Sequence, residues 1–246
     1  MRKKIITSLF VVVSATSFGQ ISNNGKLNRF VDAAGTLGQS QGTTAASYVH
    51  KWRIGKKRKL EAGLGLRWTT YVGTKTNFTT APARLARSNT TPFLIVFAGQ
   101  ETDNWDTLTV QRPFINSLNV SANFGYNITN RWSLGFNIDL IGFSFGRKGS
   151  GILTSNAKTR NEPAAKPASF NVLLTGDLDY GSLNSEYFVR YRLNDKWSVR
   201  AIYEFYFGEY ETNTVKQIAP DGTEVSRFRN KANTLGLGIT YHFKQN

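Results

Sequence analysis

The chain contains no cysteine, and its single methionine is Met1. Without thiols there is no disulfide framework, no thiolate metal site and no cysteine nucleophile. Acidic side chains are scarce. Sixteen Asp and Glu stand against 31 Lys and Arg in 246 residues, a formal charge of +15. No stretch offers repeated runs of about 20 apolar residues, which excludes a multi-helix membrane protein. No Gly-rich loop followed by Lys-Ser/Thr is present, so there is no phosphate-loop signature. Proline is sparse, with 6 residues against 22 glycines. A basic excess of this size points to nucleic acid or anionic lipid as a partner. The length suits one domain of roughly 200 residues or two smaller ones.

What the chain does have starts at its N-terminus. Arg2, Lys3 and Lys4 precede a short apolar run, Ile5 to Ala15. Ser17-Phe18-Gly19 then places small residues before Gln20. This pattern predicts a secretory signal over 1–19 and a mature domain over 20–246. Export argues against nucleic acid as the partner and leaves lipid.

Period-2 alternation dominates the rest, with no helical periodicity. In 114–128, Phe114, Leu118, Val120, Ala122, Phe124, Tyr126 and Ile128 share one face, and Ser117, Asn119, Ser121, Asn123 and Asn127 the other. Runs at 60–72, 132–146, 197–207 and 233–243 alternate in the same way. Softer strands are predicted at 44–54 and 183–193, and a weak one near 26–37. Tight turns at Gly55–Lys59, Thr129–Arg131 and Asn194–Lys196 alternate with long polar segments at 73–113, 147–182 and 209–230. Placing every long connection at one end is what a transmembrane barrel does, with short periplasmic turns and long extracellular loops. Strands of about 10–13 residues fit a tilted span of the hydrocarbon core. The expected fold is therefore all-β: an eight-stranded antiparallel up-and-down transmembrane β-barrel.

Aromatics cluster at the tight-turn end. Trp132-Ser133 after one turn is echoed by Trp197-Ser198 after another, and Trp52 precedes the third. With Tyr241 and Phe243 they are expected to form an interfacial girdle. The opposite faces carry charge: Lys51, Arg53, Glu61, Arg67, Asp139, Glu186, Arg190, Arg192, Arg200, Glu204 and His242. Inside a small barrel these either pair into a network that fills the lumen, or line a narrow basic path for small anions.

Together the export signal, the alternating strands, the girdle and a last strand ending Gly-Ile-Thr-Tyr-His-Phe243 resemble the small outer-membrane β-barrel proteins of Gram-negative bacteria. These include the OmpA-like, OmpX-like and OmpW-like barrels. The likeness spans about 25–243 and singles out no subfamily. Members commonly end in an aromatic residue read by the barrel assembly machinery, whereas here Lys244-Gln245-Asn246 follow Phe243. The resemblance implies a monomer in the outer membrane, in contact with its lipid and lipopolysaccharide, with a structural or interaction role for the loops. The alternative is a narrow pore or an OmpW-like conduit for apolar molecules. A lipid A-modifying enzyme is the third reading. It would have to use His50 or His242, neither of which sits in a nucleophile motif.

No catalytic, cofactor or metal site is expected. Asp177/Asp179 and Asp103/Asp106 read as solvated turn residues rather than a calcium site. The segment Pro92–Ala98 is apolar but too short to span. It anchors its own loop, folds over the barrel mouth, or meets a hydrophobic ligand. The basic turn Gly55-Lys56-Lys57-Arg58-Lys59 and the loop residues Lys75, Arg84, Arg87, Arg112, Arg147, Lys148, Lys158 and Arg160 are placed to meet headgroup phosphates.

Overall fold

The structure, a computed structural model, describes residues 25–155 and 157–243. The predicted signal segment lies outside the described residues. Fifteen strands form in chain order: β1 (Leu27–Leu37), β2 (Gln41–Ile54), β3 (Leu60–Gly73), β4 (Lys75–Thr80), β5 (Thr107–Gln111), β6 (Phe114–Asn127), β7 (Trp132–Gly146), β8 (Gly149–Ser155), β9 (Lys158–Pro167), β10 (Phe170–Val172), β11 (Leu183–Arg192), β12 (Trp197–Glu211), β13 (Gln217–Ile218), β14 (Glu224–Val225) and β15 (Arg227–His242). Thirteen join one antiparallel sheet, and β13 and β14 form a separate hairpin. Among the described residues no helix is long and apolar enough to cross a membrane.

The eight long strands pair in a circuit. The order β1-β2-β3-β6-β7-β11-β12-β15 returns to β1, with Val31 opposite Tyr241 and Leu37 opposite Leu235. Closure leaves these strands with no free edge, so their backbone N–H and C=O groups are satisfied by neighbours. Side chains alternate along most of their length, as the pleat requires. Along β12, Val199, Ala201 and Tyr203 point outward and are exposed, while Ser198, Arg200, Ile202 and Glu204 point inward and are buried.

One bulge breaks the alternation. Val120 of β6 faces Ile141 of β7, but Ser121 faces Asp139, so Leu140 is an extra residue. The phase flips there, as a bulge requires. Ile141, Phe143 and Phe145 point outward with Trp132 and Leu134, where unbroken alternation would have turned them inward. Bulges of this kind carry no strong sequence signature.

The long connections depart most from expectation. The segment 147–182, read from sequence as a long polar connection, carries β8, β9 and β10. The segment 73–113 carries β4 and β5. Strands β12 and β15 run past their expected limits, to Glu211 and back to Arg227. Above the long-strand circuit these pieces close a second one, β15-β4-β5-β8-β9-β12, that shares the β12–β15 hairpin. Its interior holds an apolar cluster. Phe78, Leu108, Val110, Leu153, Ala165 and Phe228 pack with Tyr71, Ile115, Tyr206 and Tyr210 into one core. Tyr71 stacks on Tyr206 at 4.8 Å, and Phe78 meets Tyr210 edge-on at 5.0 Å. The connections form strands because alternation in Leu108/Val110 and in Leu153 buries one face of each, which offsets the ordering entropy.

The upper section is held by buried carboxylates. Glu162 accepts backbone N–H groups from Ala164 at 3.0 Å, Asn213 at 3.1 Å, Thr214 at 2.8 Å and Val215 at 3.0 Å. Burial alone would raise its pKa, but these four donors hold it below the usual Glu range. A depressed folded value means the bonds add stability above the unfolded Glu pKa, about 4.3, and lose it as pH falls through the folded value. Amides of 213–215 are therefore expected to stay protected at pH 5 and to exchange faster near pH 3, after correction for intrinsic rates. Equal protection at both would remove the role given to Glu162.

Candidate functional site

All eleven charged residues assigned to the inner face are buried. Four levels of contacts stack along the interior. Nearest the tight turns, Glu61 receives Lys51 Nζ at 2.9 Å, Arg53 Nε at 3.0 Å, Asn28 Nδ2 at 3.0 Å and Asn127 Nδ2 at 3.2 Å. Next, Arg200 bridges Asp32 at 2.8 Å and Glu186 at 2.5 Å, and Asn137 also donates to Glu186. Arg67 then faces Asp139 at 3.4 Å, which also accepts from Asn119 at 2.8 Å and from the Asn184 N–H at 3.0 Å. At the fourth level Glu204 meets neutral donors: Thr36, Thr43 at 2.7 Å, Thr234 at 2.6 Å and Asn184 at 2.5 Å. Above it the apolar core begins.

Two rings sit among these charges. Phe30 and Phe188 point inward, and the Arg190 guanidinium lies 4.6 Å and 5.0 Å from their centroids. Gly135 makes the room: a Cβ there would lie 2.2 Å from the Phe188 ring. Phe30, Asn28 and Asp32 were not identified from sequence. They share the inward face of β1, whose Ala33, Ala34 and Gly35 blur the alternation.

A relay links the last strand to this network. Asn28 Nδ2 donates to Glu61, which turns Asn28 Oδ1 towards His242 Nδ1 at 3.1 Å. That bond makes Nδ1 the protonated nitrogen, so Nε2 accepts from Ser198 Oγ at 2.7 Å. Ser-His-Asn order is that of an acyl-transfer site. Ser198 is 0 % exposed, however, so its Oγ meets no substrate carbonyl, and the relay ties β1, β12 and β15 together. His50 lies on the opposite face, its ring 4.7 Å from that of Trp52.

The outer surface of the long-strand circuit is apolar. Leu64, Leu66, Val120, Leu134, Val189, Val199, Leu237 and Ile239 are all exposed. A water-soluble monomer rarely shows a continuous apolar belt of this extent. Trp52, Trp132, Trp197 and Phe243 are exposed at the tight-turn end, and Tyr241 sits between two of them. A second aromatic group, Trp68, Phe143 and Phe145, sits towards the other end, with Trp68 5.5 Å from Phe145. Only after the bulge at Leu140 is placed does that group come together.

The connection residues take other roles than expected. Asp177 is not a solvated turn residue. It pairs with Arg87 at 2.5 Å, Lys231 at 2.6 Å and Arg229 at 3.3 Å. Burial would raise its pKa, but the hydrogen bonds from Lys231 and Arg87 hold it below the usual range. No group of three metal-ligating side chains occurs among the described residues. Arg84 pairs with Asp221 at 2.9 Å, and Arg147 and Arg160 donate to backbone carbonyls, so these three hold loops together. In the segment Pro92–Ala98, Leu94–Phe97 form a helical turn. Ile95 is the anchor, at 1 % exposure, packed on Gly176, where a Cβ would meet its Cγ2 at 3.1 Å. Phe93 at 78 % and Phe97 at 87 % stand out into solvent. Arg87 closes the loop, donating to Ala98 O at 2.9 Å.

The fold and site define a class: an antiparallel sheet closed on itself, with a charged, hydrogen-bonded interior and an apolar exterior. No protein-family model matches the chain, and no curated protein sequence matches it. Solved structures do. Neisserial surface protein A is 10 % identical over 89 % of this chain and 97 % of its own, with a TM-score of 0.36. The attachment invasion locus protein of Yersinia pestis is 9 % identical over 89 % of this chain and 99 % of its own, with a TM-score of 0.36. A major outer membrane protein from Thermus thermophilus is 13 % identical over 88 % of this chain and 99 % of its own, with a TM-score of 0.37.

Proposed function

We propose that this is a non-enzymatic outer-membrane protein, exported by residues 1–19. Its eight long strands form a monomeric up-and-down barrel. The tight turns lie in the periplasm, and the long connections form a rigid platform outside the cell. The observation that carries the reading is the stacking of an apolar core directly on a cross-linked polar interior. A conducting path would need a continuous wet lumen. Here each charge level is cross-linked, and the mouth above it is packed with side chains. What remains for function is the platform itself, whose apolar tip at 93–97 is braced by Ile95 and Arg87.

Outer-membrane lipid and lipopolysaccharide surround the belt, and the barrel assembly machinery inserts the chain. Nucleic acid has no part. The basic turn at Lys56–Lys59 meets headgroup phosphates on the periplasmic side. Planar-bilayer recording tests the reading: correctly folded protein should give no discrete conductance steps. Steps that persist in Phe93→Ser/Phe97→Ser protein would show an open lumen, and the platform reading would fail in favour of a pore.

A further inference from the structure

The apolar turn at 93–97 stands on the flank of the barrel and not over its mouth. Asp177 fixes its position. That carboxylate binds Lys231 and Arg229 of β15, and also Arg87, which closes the base of the turn. Arg229 and Lys231 occupy the same face of β15 as the exposed Leu235, Leu237 and Ile239. The 173–181 excursion and the turn it carries therefore lie outside the wall. On that face Leu235 is the last apolar residue before Asn233 and Lys231, so the belt ends there. Lys231 is only about 13 Å further along the strand.

The excursion also begins inside the belt. Phe170 is opposite Phe143, a member of the second aromatic group, and both rings are exposed. The Leu173 N–H donates to Leu140 O at 2.7 Å. Leu174 follows and is exposed. Ile95 and Val96 then rest on Gly176, where a Cβ would lie 3.1 Å and 4.0 Å from their Cγ2 atoms. Apolar side chains thus lead from Phe143 and Phe170 through Leu174 to the exposed Phe93, Leu94, Val96 and Phe97. Phe93 also holds a φ of 68°, a left-handed backbone that a bulky residue rarely occupies. Aromatic and apolar side chains displayed at this level match the headgroup–acyl boundary, which takes up apolar faces to a depth of about 5–10 Å.

We propose that the 93–97 turn is an interfacial anchor, whose four exposed apolar side chains insert into the outer leaflet of the membrane that the barrel spans. Its occupant is lipid, continuous with the lipid that covers the belt. Asp177 is the rivet: one carboxylate ties the turn, the excursion and β15 together, so the anchor holds the platform to the membrane along one flank. The proposal rests on the outer-membrane reading above, because it needs the belt to face lipid.

Single cysteines in the cysteine-free chain test it. Phe93→Cys and Phe97→Cys probe the turn, Leu237→Cys the belt, and Lys158→Cys the exposed end of the β8–β9 hairpin. Each variant, its folding checked by heat-modifiable mobility, is placed in phosphatidylcholine nanodiscs, whose two faces are both open to buffer. A charged, water-soluble thiol reagent should alkylate 93 and 97 about tenfold more slowly than 158. Phosphatidylcholine carrying a nitroxide near its headgroup should quench a bimane label at 93 and 97 but not at 158. A nitroxide on the acyl chain should quench the label at 237. Fast alkylation at 93 and 97 without lipid quenching, while 237 is quenched, would overturn the anchor and leave the barrel reading standing. Slow alkylation without lipid quenching would also overturn it, by showing that protein covers the turn. No lipid quenching at 237 would overturn the outer-membrane reading itself, and the anchor with it.

Discussion

Glu61→Leu is expected to prevent stable folding. The substitution leaves Lys51 and Arg53 buried at 2 % and 9 % exposure without the carboxylate they share, and Asn28 and Asn127 without their acceptor. Removing one partner of a buried pair costs about 3–5 kcal/mol, because the remaining charge is stranded. Here two charges are stranded, so the upper end of that range applies. Urea unfolding in lipid vesicles, with heat-modifiable mobility as a second readout, measures the loss. The triple variant E61L/K51M/R53M removes the stranded charges and should recover most of it. Such recovery is what distinguishes electrostatic stranding from a packing defect at position 61. A Glu61→Leu protein as stable as wild type would show that water or ions, and not this carboxylate, compensate the two cations.

Phe228→Ala should have the second-largest effect, confined to the other end. Phe228 is 0 % exposed at the centre of the apolar core that fills the upper circuit. Truncating a buried Phe costs about 3–5 kcal/mol through lost transfer energy and the cavity left behind. Amide exchange should accelerate in β5, β8 and β9, whose Leu108, Val110, Leu153 and Ala165 share that core. Heat-modifiable mobility should survive, since the long-strand circuit draws its hydrogen bonds from other pairs. Collapse of both sections together would show that the two circuits fold as one unit.

These two sites differ in how far the sequence disclosed them. The charged face at 61, 51 and 53 follows from alternation, because a two-residue period fixes which residues share a side. Partners across strands do not follow from it. Asp32, the acceptor for Arg200, lies in a small-residue strand where apolar contrast is too weak to set the face. The upper core was hidden for another reason. Thr107–Gln111 and Gly149–Ser155 are only five and seven residues long and lie among Gly, Pro and Asn, so they read as loop. They become strands only inside the second circuit, pairing with each other and with β4 and β9, which in turn pair with the extended ends of β15 and β12. The bulge at Leu140 is the third gap: one extra residue moves Phe143 and Phe145 from interior to surface, and no local residue type announces it.

The central claim is that the apolar belt faces lipid while its alternate residues face a closed interior. The absence of native cysteine allows a direct test. Single cysteines at 198 to 203 carry a spin label in reconstituted vesicles, and relaxation is measured with a lipid-dissolved and a water-dissolved relaxant. Positions 199, 201 and 203 should be relaxed by the lipid-borne agent, and 198, 200 and 202 by neither to any comparable degree. Uniform relaxation by the aqueous agent along the strand, with no two-residue period, would contradict the account.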